Sequence, residues 1–196
     1  MLTLGDNFYG SGVESVDDPQ WKTKWENVYS AKSLQIPVYP TLGNHDHKGN
    51  VQAQIDYSKR NANWKMPSRY YTFRVDLDDG QHAQFFALDT DILGRADPKQ
   101  AEWLERELKS SKAHWKIAFG HHPLYSHSKR FHNLRMIRHL EPVLRRYKVD
   151  LYVAGHDHIL EMLKPVNGIN YVVSGAGGGP GKAYEARWTE SSHNAA

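Results

Sequence analysis

The chain has 196 residues, a length that typically forms one domain with a hydrophobic core, and it carries a formal net charge of +3. It contains no cysteine, which excludes disulfide bonds and thiolate metal sites, and no apolar run approaches the roughly 20 residues of a membrane span. Because no run of like charges resembles a nucleic-acid-binding tail, the slight positive charge indicates tolerance of anionic substrates rather than a DNA partner.

Apolar periodicity and turn signals predict strands and helices that alternate along the chain. In chain order we predict a strand at residues 1–4, a helix from Asp18-Pro19, a strand at 36–42, a helix at 51–60, a hairpin at 69–88, a helix from Asp97-Pro98, a strand at 115–119, a helix at 133–147, a strand at 151–154 and a hairpin at 160–174. Beyond Gly175 the chain is rich in glycine and then polar, and we predict no strand or helix there. Mixed strands, helices and hairpins indicate a layered α/β fold.

Two of the predicted helices carry apolar stripes that should pack on a sheet. In the first, Trp21, Trp25 and Val28 recur at helical spacing. In the helix at 133–147 the stripe consists of Leu134, Ile137, Leu140, Leu144 and Tyr147.

Four short motifs of metal-ligand side chains each follow an apolar run. They read Gly-Asp-Asn-Phe-Tyr at residues 5–9, Gly-Asn-His-Asp at 43–46, Gly-His-His-Pro at 120–123 and Gly-His-Asp-His at 155–158. Since sites in open α/β sheets form just beyond the carboxyl ends of strands, the four motifs predict one shared site. Imidazole nitrogens and carboxylate oxygens together suit borderline metals such as iron and zinc, so the pattern indicates a dinuclear metallohydrolase.

The histidines of these motifs differ in the strength of their signal. His156 and His158 project to the same side of an extended chain, and His121 directly follows a strand, so all three are interpreted as ligands. Tyr9 is an unusual ligand that implies a hard trivalent metal such as iron(III). His122 is interpreted as a structural or supporting residue.

Two further histidines, His127 and His132, fall in a loop predicted to lie over the site. Either of them can donate a proton to a leaving group, and either can equally be an exposed loop residue. The sequence leaves this alternative open.

In combination, the order Gly-Asp-x-x-Tyr, Gly-Asn-His-Asp, x-x-Gly-His and Gly-His-x-His resembles the calcineurin-like metallophosphoesterases, and the tyrosine narrows the resemblance to the purple acid phosphatases. The small, tartrate-resistant type is similar in the segments LGDNFYGSGV, LGNHDHKGNVQAQIDYSK, AGHDHILEML and YVVSGAG. The resemblance implies an α-β-β-α sandwich with mixed sheets, as one partial domain over residues 1–196. We expect the first strand and the last strands of that sandwich to be missing.

The resemblance also implies a role for each motif residue. The two metal ions would be an iron(III) and a divalent iron, zinc or manganese ion. Asp6 would bridge the two ions. The iron(III) would be bound by Tyr9 and His158, and the divalent ion by Asn44, His121 and His156. His45 would hold the phosphate and assist the leaving group. A second family histidine corresponds in spacing to Arg130, so His127 or His132 would have to take its place.

The activity implied is that of an acid phosphatase, in which a metal-bound hydroxide attacks the phosphorus of a phosphomonoester in line. The alternatives are a phosphodiesterase or nucleotidase of the same superfamily, or an inactive fragment, because the family's first Gly-Asp-x-Gly motif, which supplies an iron ligand, is not found in this chain. We expect a phosphomonoester substrate, no nucleic-acid or membrane partner, and a monomer. A secreted or periplasmic location follows from the family, although no signal peptide is recognised in the chain.

Overall fold

The strands form a small parallel sheet and a large mixed sheet. The structure, a computed structural model, describes residues 1–93, 98–130 and 132–178, and the backbone of 186–189. In the small sheet β1 (Leu2–Leu4) pairs with β2 (Tyr39–Thr41). The strands of the large sheet are β3 (Tyr71–Asp76), β4 (His82–Leu88), β5 (Trp115–Gly120), β6 (Leu151–Ala154), β7 (Leu160–Val166), β8 (Ile169–Ser174) and β9 (Ala186–Thr189). Their order across the sheet is β3-β4-β5-β6-β8-β7-β9, with β4, β5, β6 and β8 parallel to one another.

Helices cover both layers of sheet. They are α1 (Val51–Tyr57), α2 (Lys99–Ser110), α3 (Leu134–His139) and α4 (Glu141–Arg146), with a single π-type turn at Trp21–Glu26. Asn50 and Asn133 are the N-cap residues of α1 and α3. The side chain of each accepts a hydrogen bond from a backbone N–H in the first turn of its helix, that of Ala53 or Met136. Among the described helices, none has both the length and the apolar character needed to cross a bilayer.

Two hydrophobic clusters lie on opposite faces of the large sheet, because successive side chains of a strand point to opposite faces. Phe86 and Ala118 pack in one cluster with residues of α2, α3 and α4. Their neighbours Ala87 and Phe119 pack in the other, together with the small sheet, α1 and the tryptophans of the π-type turn. The order of layers is therefore helices, large sheet, small sheet, helices, which confirms the predicted layered α/β sandwich.

The predicted helix at 133–147 is wrong in one respect, since it is two helices that meet at Leu140. Pro142 lies in the first turn of α4, where it has no N–H to continue the hydrogen-bond ladder of α3. Leu134, the first residue of α3, does not join the predicted buried stripe, since 75% of its surface is exposed. Val28, predicted to pack on the sheet, is likewise 59% exposed because the π-type turn ends at Glu26.

The end of the chain contains a strand where we predicted none. β9 pairs with β7 in parallel, and its register joins Leu160 to Ala186. The hairpin predicted from Asn167-Gly168 is confirmed, and both residues have the positive φ angles, 52° and 82°, that a two-residue turn requires. Asp97, predicted to begin α2, lies outside the described residues.

Candidate metal centre

The loops that carry the four motifs all leave the carboxyl ends of parallel strands. Residues 5–9 follow β1, residues 43–46 come shortly after β2, His121 follows β5 and residues 155–158 follow β6. The two sheets face one another across a shared cluster, so these ends converge. A cleft of about 290 Å³ is lined by ligands from three of the loops, Asp6, Tyr9, His121, His156 and His158.

The ring nitrogen Nε2 of His121 lies at the centre of a group of possible ligand atoms. It is 3.0 Å from His156 Nδ1, 3.2 Å from Asn44 Oδ1 and 3.3 Å from Asp6 Oδ2. Ligands bound to one metal at about 2.0–2.1 Å are separated by about 3.0 Å in an octahedral and about 3.4 Å in a tetrahedral arrangement. The spacing of these four atoms therefore fits ligands of a single metal ion.

The hydrogen bond made by His121 Nδ1 supports the same interpretation. This nitrogen lies 2.7 Å from the Leu4 carbonyl oxygen, to which it donates, so the form of the ring that binds a metal carries its lone pair on Nε2. That lone pair faces the Asp6 and Asn44 oxygens, which are also acceptors. Acceptor atoms that face one another without a hydrogen between them are favourable when a cation binds among them. A metal-binding histidine also usually donates the N–H of its other ring nitrogen to a carbonyl oxygen, as His121 does to Leu4.

A second pair of ligand atoms lies in the same cleft. The Tyr9 hydroxyl oxygen is 2.9 Å from His158 Nε2. Gly178 packs against both atoms, and a Cβ at that position would collide with the Tyr9 hydroxyl. The structure thus places Tyr9 beside His158, and Asp6, Asn44, His121 and His156 in a separate group, while the bridging role of Asp6 and the assignment of each group to a metal stay predictions.

Two of these residues adopt strained backbone conformations. Asp6 has φ 53° and His156 has φ 64°, in the left-handed region that residues other than glycine seldom occupy. Each costs on the order of 1–3 kcal/mol, a cost that is characteristic of functional sites. Gly43 allows the strained Asp6 to approach, since any side chain there would overlap the Asp6 carboxylate.

The electrostatics of the cluster suit a bound cation. Burial alone would raise the pKa of Asp6, but the neighbouring His121 ring and the backbone N–H of His45 lower it to about 2. Burial, with the His121 ring and the charge of Arg130 nearby, lowers the pKa of His156 to about 4. Asp6 is thus an anion and His156 a neutral imidazole over a wide pH range, which are the forms that bind metals.

His45 stands at the edge of this cleft beside Tyr9, with ring centroids 5.0 Å apart. Its Nδ1 is 3.1 Å from the Gly10 carbonyl oxygen, which fixes the ring. The opposite ring nitrogen is then the one available to a substrate. This position is compatible with the predicted contact to phosphate, a role that stays a prediction.

His122 packs behind the ligands. Its ring centroid is 4.6 Å from that of His156, and its Nδ1 lies 2.9 Å from the Thr90 hydroxyl oxygen. Burial lowers the pKa of His122 to about 2, so the ring is neutral. Ligand atoms of His121, His122 and His156 all lie within 4.8 Å of one another, so His122 is also close enough to be a ligand, and its supporting role stays a prediction.

The two loop histidines lie next to one another, with ring centroids 5.7 Å apart, but they have different partners. Glu161, a buried carboxylate, holds the His127 ring at 2.7 Å from Nδ1. His132 instead lines a cleft together with His156 and Arg130. Arg130, to which sequence reasoning assigned no role, places its Nη1 2.9 Å from His156 Nε2. Which histidine donates a proton stays a prediction.

Sequence reasoning also assigned no role to Asp46, which joins the first two motif loops. Its buried carboxylate accepts hydrogen bonds from the backbone N–H groups of Gly43, Asn7 and Phe8, at 2.8, 3.1 and 3.3 Å, and from the Gln54 amide at 2.9 Å. The sequence feature that could have indicated this role is the aspartate that directly follows Asn44-His45. Asp46 therefore holds the Asp6 and Asn44 loops in register.

We expect Asp46→Ala to lower the free energy of unfolding by about 3 kcal/mol or more, because each buried N–H left unpaired costs about 1–3 kcal/mol. Urea denaturation of the metal-free protein measures this loss. Asp56→Ala is the matched control, since Asp56 is a solvent-accessible ion-pair partner of Lys59 and its removal should change the stability little. Equal losses in the two variants would contradict the role of Asp46.

Comparisons with known proteins agree with this geometry. Residues 1–160 match the calcineurin-like phosphoesterase family. The chain is 38% identical to tartrate-resistant acid phosphatase type 5 of Oryctolagus cuniculus over 90% of its length, and 33% identical to purple acid phosphatase 4 of Arabidopsis thaliana over 96%. It spans about 60% of the length of these curated relatives. Among solved structures, GAP50, the anchor in the inner membrane complex of Plasmodium, superposes with a TM-score of 0.81 at 30% identity, covering 90% of this chain and 61% of that one.

Proposed function

Since this chain belongs to the calcineurin-like phosphoesterase family, we propose that it is an acid phosphatase that hydrolyses phosphomonoesters at a dinuclear Fe(III)–M(II) centre. The observation that carries the proposal is the cluster around His121 Nε2, where possible ligand atoms of Asp6, Asn44 and His156 converge. The similarity to acid phosphatases over 90% of the chain supports the same reaction class. Export from the cell and a monomeric state belong to this proposal.

The donor set favours two different metal ions. Tyr9 and His158 offer a phenol oxygen and an imidazole, and a phenolate is a hard ligand suited to iron(III). Asn44, His121 and His156 offer an amide oxygen and two imidazoles, which suit divalent iron, zinc or manganese. Bound there, the pair would supply Lewis-acid charge to the phosphoryl oxygens and would acidify water.

The protein's own residues then position and protonate the substrate. His45 lies at the cleft edge with its free ring nitrogen directed away from the Gly10 carbonyl, so it can hold a phosphoryl oxygen and give a proton to the leaving group. Lys24 lines the same cleft and adds positive charge near Tyr9, since its ammonium group donates to the Tyr9 carbonyl oxygen at 2.8 Å. The cleft therefore attracts a dianionic phosphomonoester.

A comparison of 4-nitrophenyl phosphate with its bis ester tests the proposal against the phosphodiesterase alternative. With protein reconstituted with iron and zinc, we expect hydrolysis of the monoester and at least about tenfold slower hydrolysis of the diester, because the cationic cleft favours the dianion. Removal of metal by a chelator should abolish both activities, and added metal should restore them. Faster hydrolysis of the bis ester would make the protein a phosphodiesterase.

A non-catalytic scaffold is the second candidate function. The observation in its favour is the similarity to the Plasmodium anchor protein, at 30% identity over 90% of this chain. A protein that binds metals but hydrolyses neither ester would support this candidate, and turnover of the monoester would refute it.

A further inference from the structure

A buried contact joins the loop that carries His45 to the end of β4. His47 Nε2 lies 2.8 Å from Asp89 Oδ1, although the two residues are 42 positions apart in the chain. The Asp89 side chain is fully buried, whereas 16% of the His47 side chain is exposed. The roles proposed above use neither side chain.

Asp89 is the fixed end of this contact. Its backbone N–H donates to Gln100 Oε1 at 2.8 Å, and its carbonyl oxygen accepts from Gln100 Nε2 at 2.9 Å. Gln100 belongs to α2 and is itself fully buried. These two hydrogen bonds fix the Asp89 backbone to the helix, so its carboxylate is held in one place in the layer of the large sheet.

The other end of the contact is the turn that follows His45. His47 lies in the 3₁₀ turn Asp46–Lys48, and its backbone N–H donates to the Gly43 carbonyl oxygen at 3.2 Å. The N–H of Lys48 donates to the His45 carbonyl oxygen, also at 3.2 Å. A shift of the His47 ring would therefore move His45 through a single turn of backbone.

The Asp89 carboxylate depends on His47 for its stabilisation. Within the described part of the chain, no donor forms a hydrogen bond with Oδ2, the second oxygen of Asp89. A buried carboxylate with an unpaired oxygen is unfavourable unless a positive charge lies beside it, and a protonated His47 supplies that charge. The charged groups that face His47 are Asp89 and Asp91, which follow β4, and Arg69, which precedes β3.

The same surroundings make the contact depend on pH. Burial alone would lower the pKa of His47, but the hydrogen bond and charge of Asp89, with the charge of Asp91, raise it above the ordinary value of 6.5, and Arg69 opposes this rise. The folded protein therefore holds the His47 proton more tightly than the unfolded chain does. The resulting stability is fully present below about pH 6.5 and is lost as the pH rises through the raised pKa.

Resting on the proposed function, we infer that His47 is a positioning residue for His45, and that its ion pair with Asp89 makes the site respond to pH. At acidic pH the protonated His47 ring holds the turn against the buried Asp89 carboxylate, and the turn holds His45 at the edge of the cleft. At alkaline pH the ring loses its charge, and only a neutral hydrogen bond remains. The protein thus favours acidic pH through its own side chains, in addition to any effect of a bound metal.

The test compares His47→Gln with the wild type, because glutamine keeps a donor beside Asp89 but carries no charge. With protein reconstituted with iron and zinc, we expect kcat/KM for ethyl phosphate to be roughly tenfold lower in His47→Gln at about pH 5, the effect of losing a charged hydrogen bond, and within about twofold of the wild type at about pH 9. Comparing variant with wild type at each pH cancels the pH dependence of the metal centre, which the two proteins share. His139→Gln, which replaces an exposed histidine at the end of α3, should match the wild type at both pH values.

A stability measurement on the same preparations separates this inference from the proposed function. We expect the thermal midpoint of His47→Gln to lie below that of the wild type at about pH 5 and to approach it at about pH 9, whether or not the protein hydrolyses an ester. In a chain that already carries Asp89→Asn, the His47→Gln change should lower the midpoint no further, since its partner charge is gone.

A loss of midpoint that is the same at both pH values, or a kcat/KM ratio of variant to wild type that does not change with pH, would overturn the role of His47. If the wild type hydrolyses no ester, the proposed function fails, and the pH dependence of the midpoint still decides whether His47 and Asp89 form a pH-sensitive pair.

Discussion

Replacing His121 with alanine should lower kcat/KM for 4-nitrophenyl phosphate by roughly a thousandfold or more, since a metal ion contributes several kcal/mol of charge stabilisation to such a reaction. His121 Nε2 is the atom on which Asn44, His156 and Asp6 converge, so its loss removes the centre of one ligand group. The content of tightly bound divalent metal should fall with the activity, as elemental analysis after desalting would show.

Two controls make this result specific. His139→Ala removes an exposed histidine at the end of α3 and should leave both metal content and activity unchanged. His121→Phe fills the buried position with a ring that offers no ligand atom and should still lose the metal, which separates loss of a ligand from loss of the fold. Full metal content in both His121 variants would contradict the assignment.

Replacing His45 with alanine should lower kcat by roughly 10²–10⁴-fold, the usual contribution of a positioned general acid. The metals should remain bound, because His45 contacts Gly10 and packs beside Tyr9 without joining either ligand group. The loss should be larger for an alkyl phosphate than for 4-nitrophenyl phosphate, since the nitrophenolate leaves without a proton. Steady-state kinetics on the two substrates measure this difference.

Two other outcomes of the His45→Ala experiment would assign His45 a different role. Loss of metal from His45→Ala would make the residue structural, because its backbone N–H bonds the Asp6 carboxylate at 2.8 Å and a shift there would disturb the bridge. An equal loss of kcat on both substrates would assign His45 to phosphate binding without proton transfer.

The sequence predicted the position of the site because the ligands sit at strand ends. Asp6, His121 and His156 come directly or nearly directly after apolar runs, and parallel strands bring such ends to one edge whatever the details of packing. The hairpin at Asn167-Gly168 was predictable for a similar local reason, since its turn needs two positive φ angles.

Long side chains and irregular loops escaped prediction. Arg130 lies in a loop without periodicity, and its contacts with His156 and Asp157 join residues that are distant in sequence. Asp46 likewise acts through backbone groups of another loop. β9 was missed because its pairing with β7 is a contact between residues far apart, and a short strand after a glycine-rich segment has no pattern of its own.

The measurement that tests the central claim most directly is the metal content per chain after reconstitution with iron and zinc. Two metal ions per chain, with an iron(III)–tyrosinate absorption band that disappears in Tyr9→Phe, are expected if both ligand groups are metal sites. A chain that binds no metal while remaining folded would contradict the dinuclear centre.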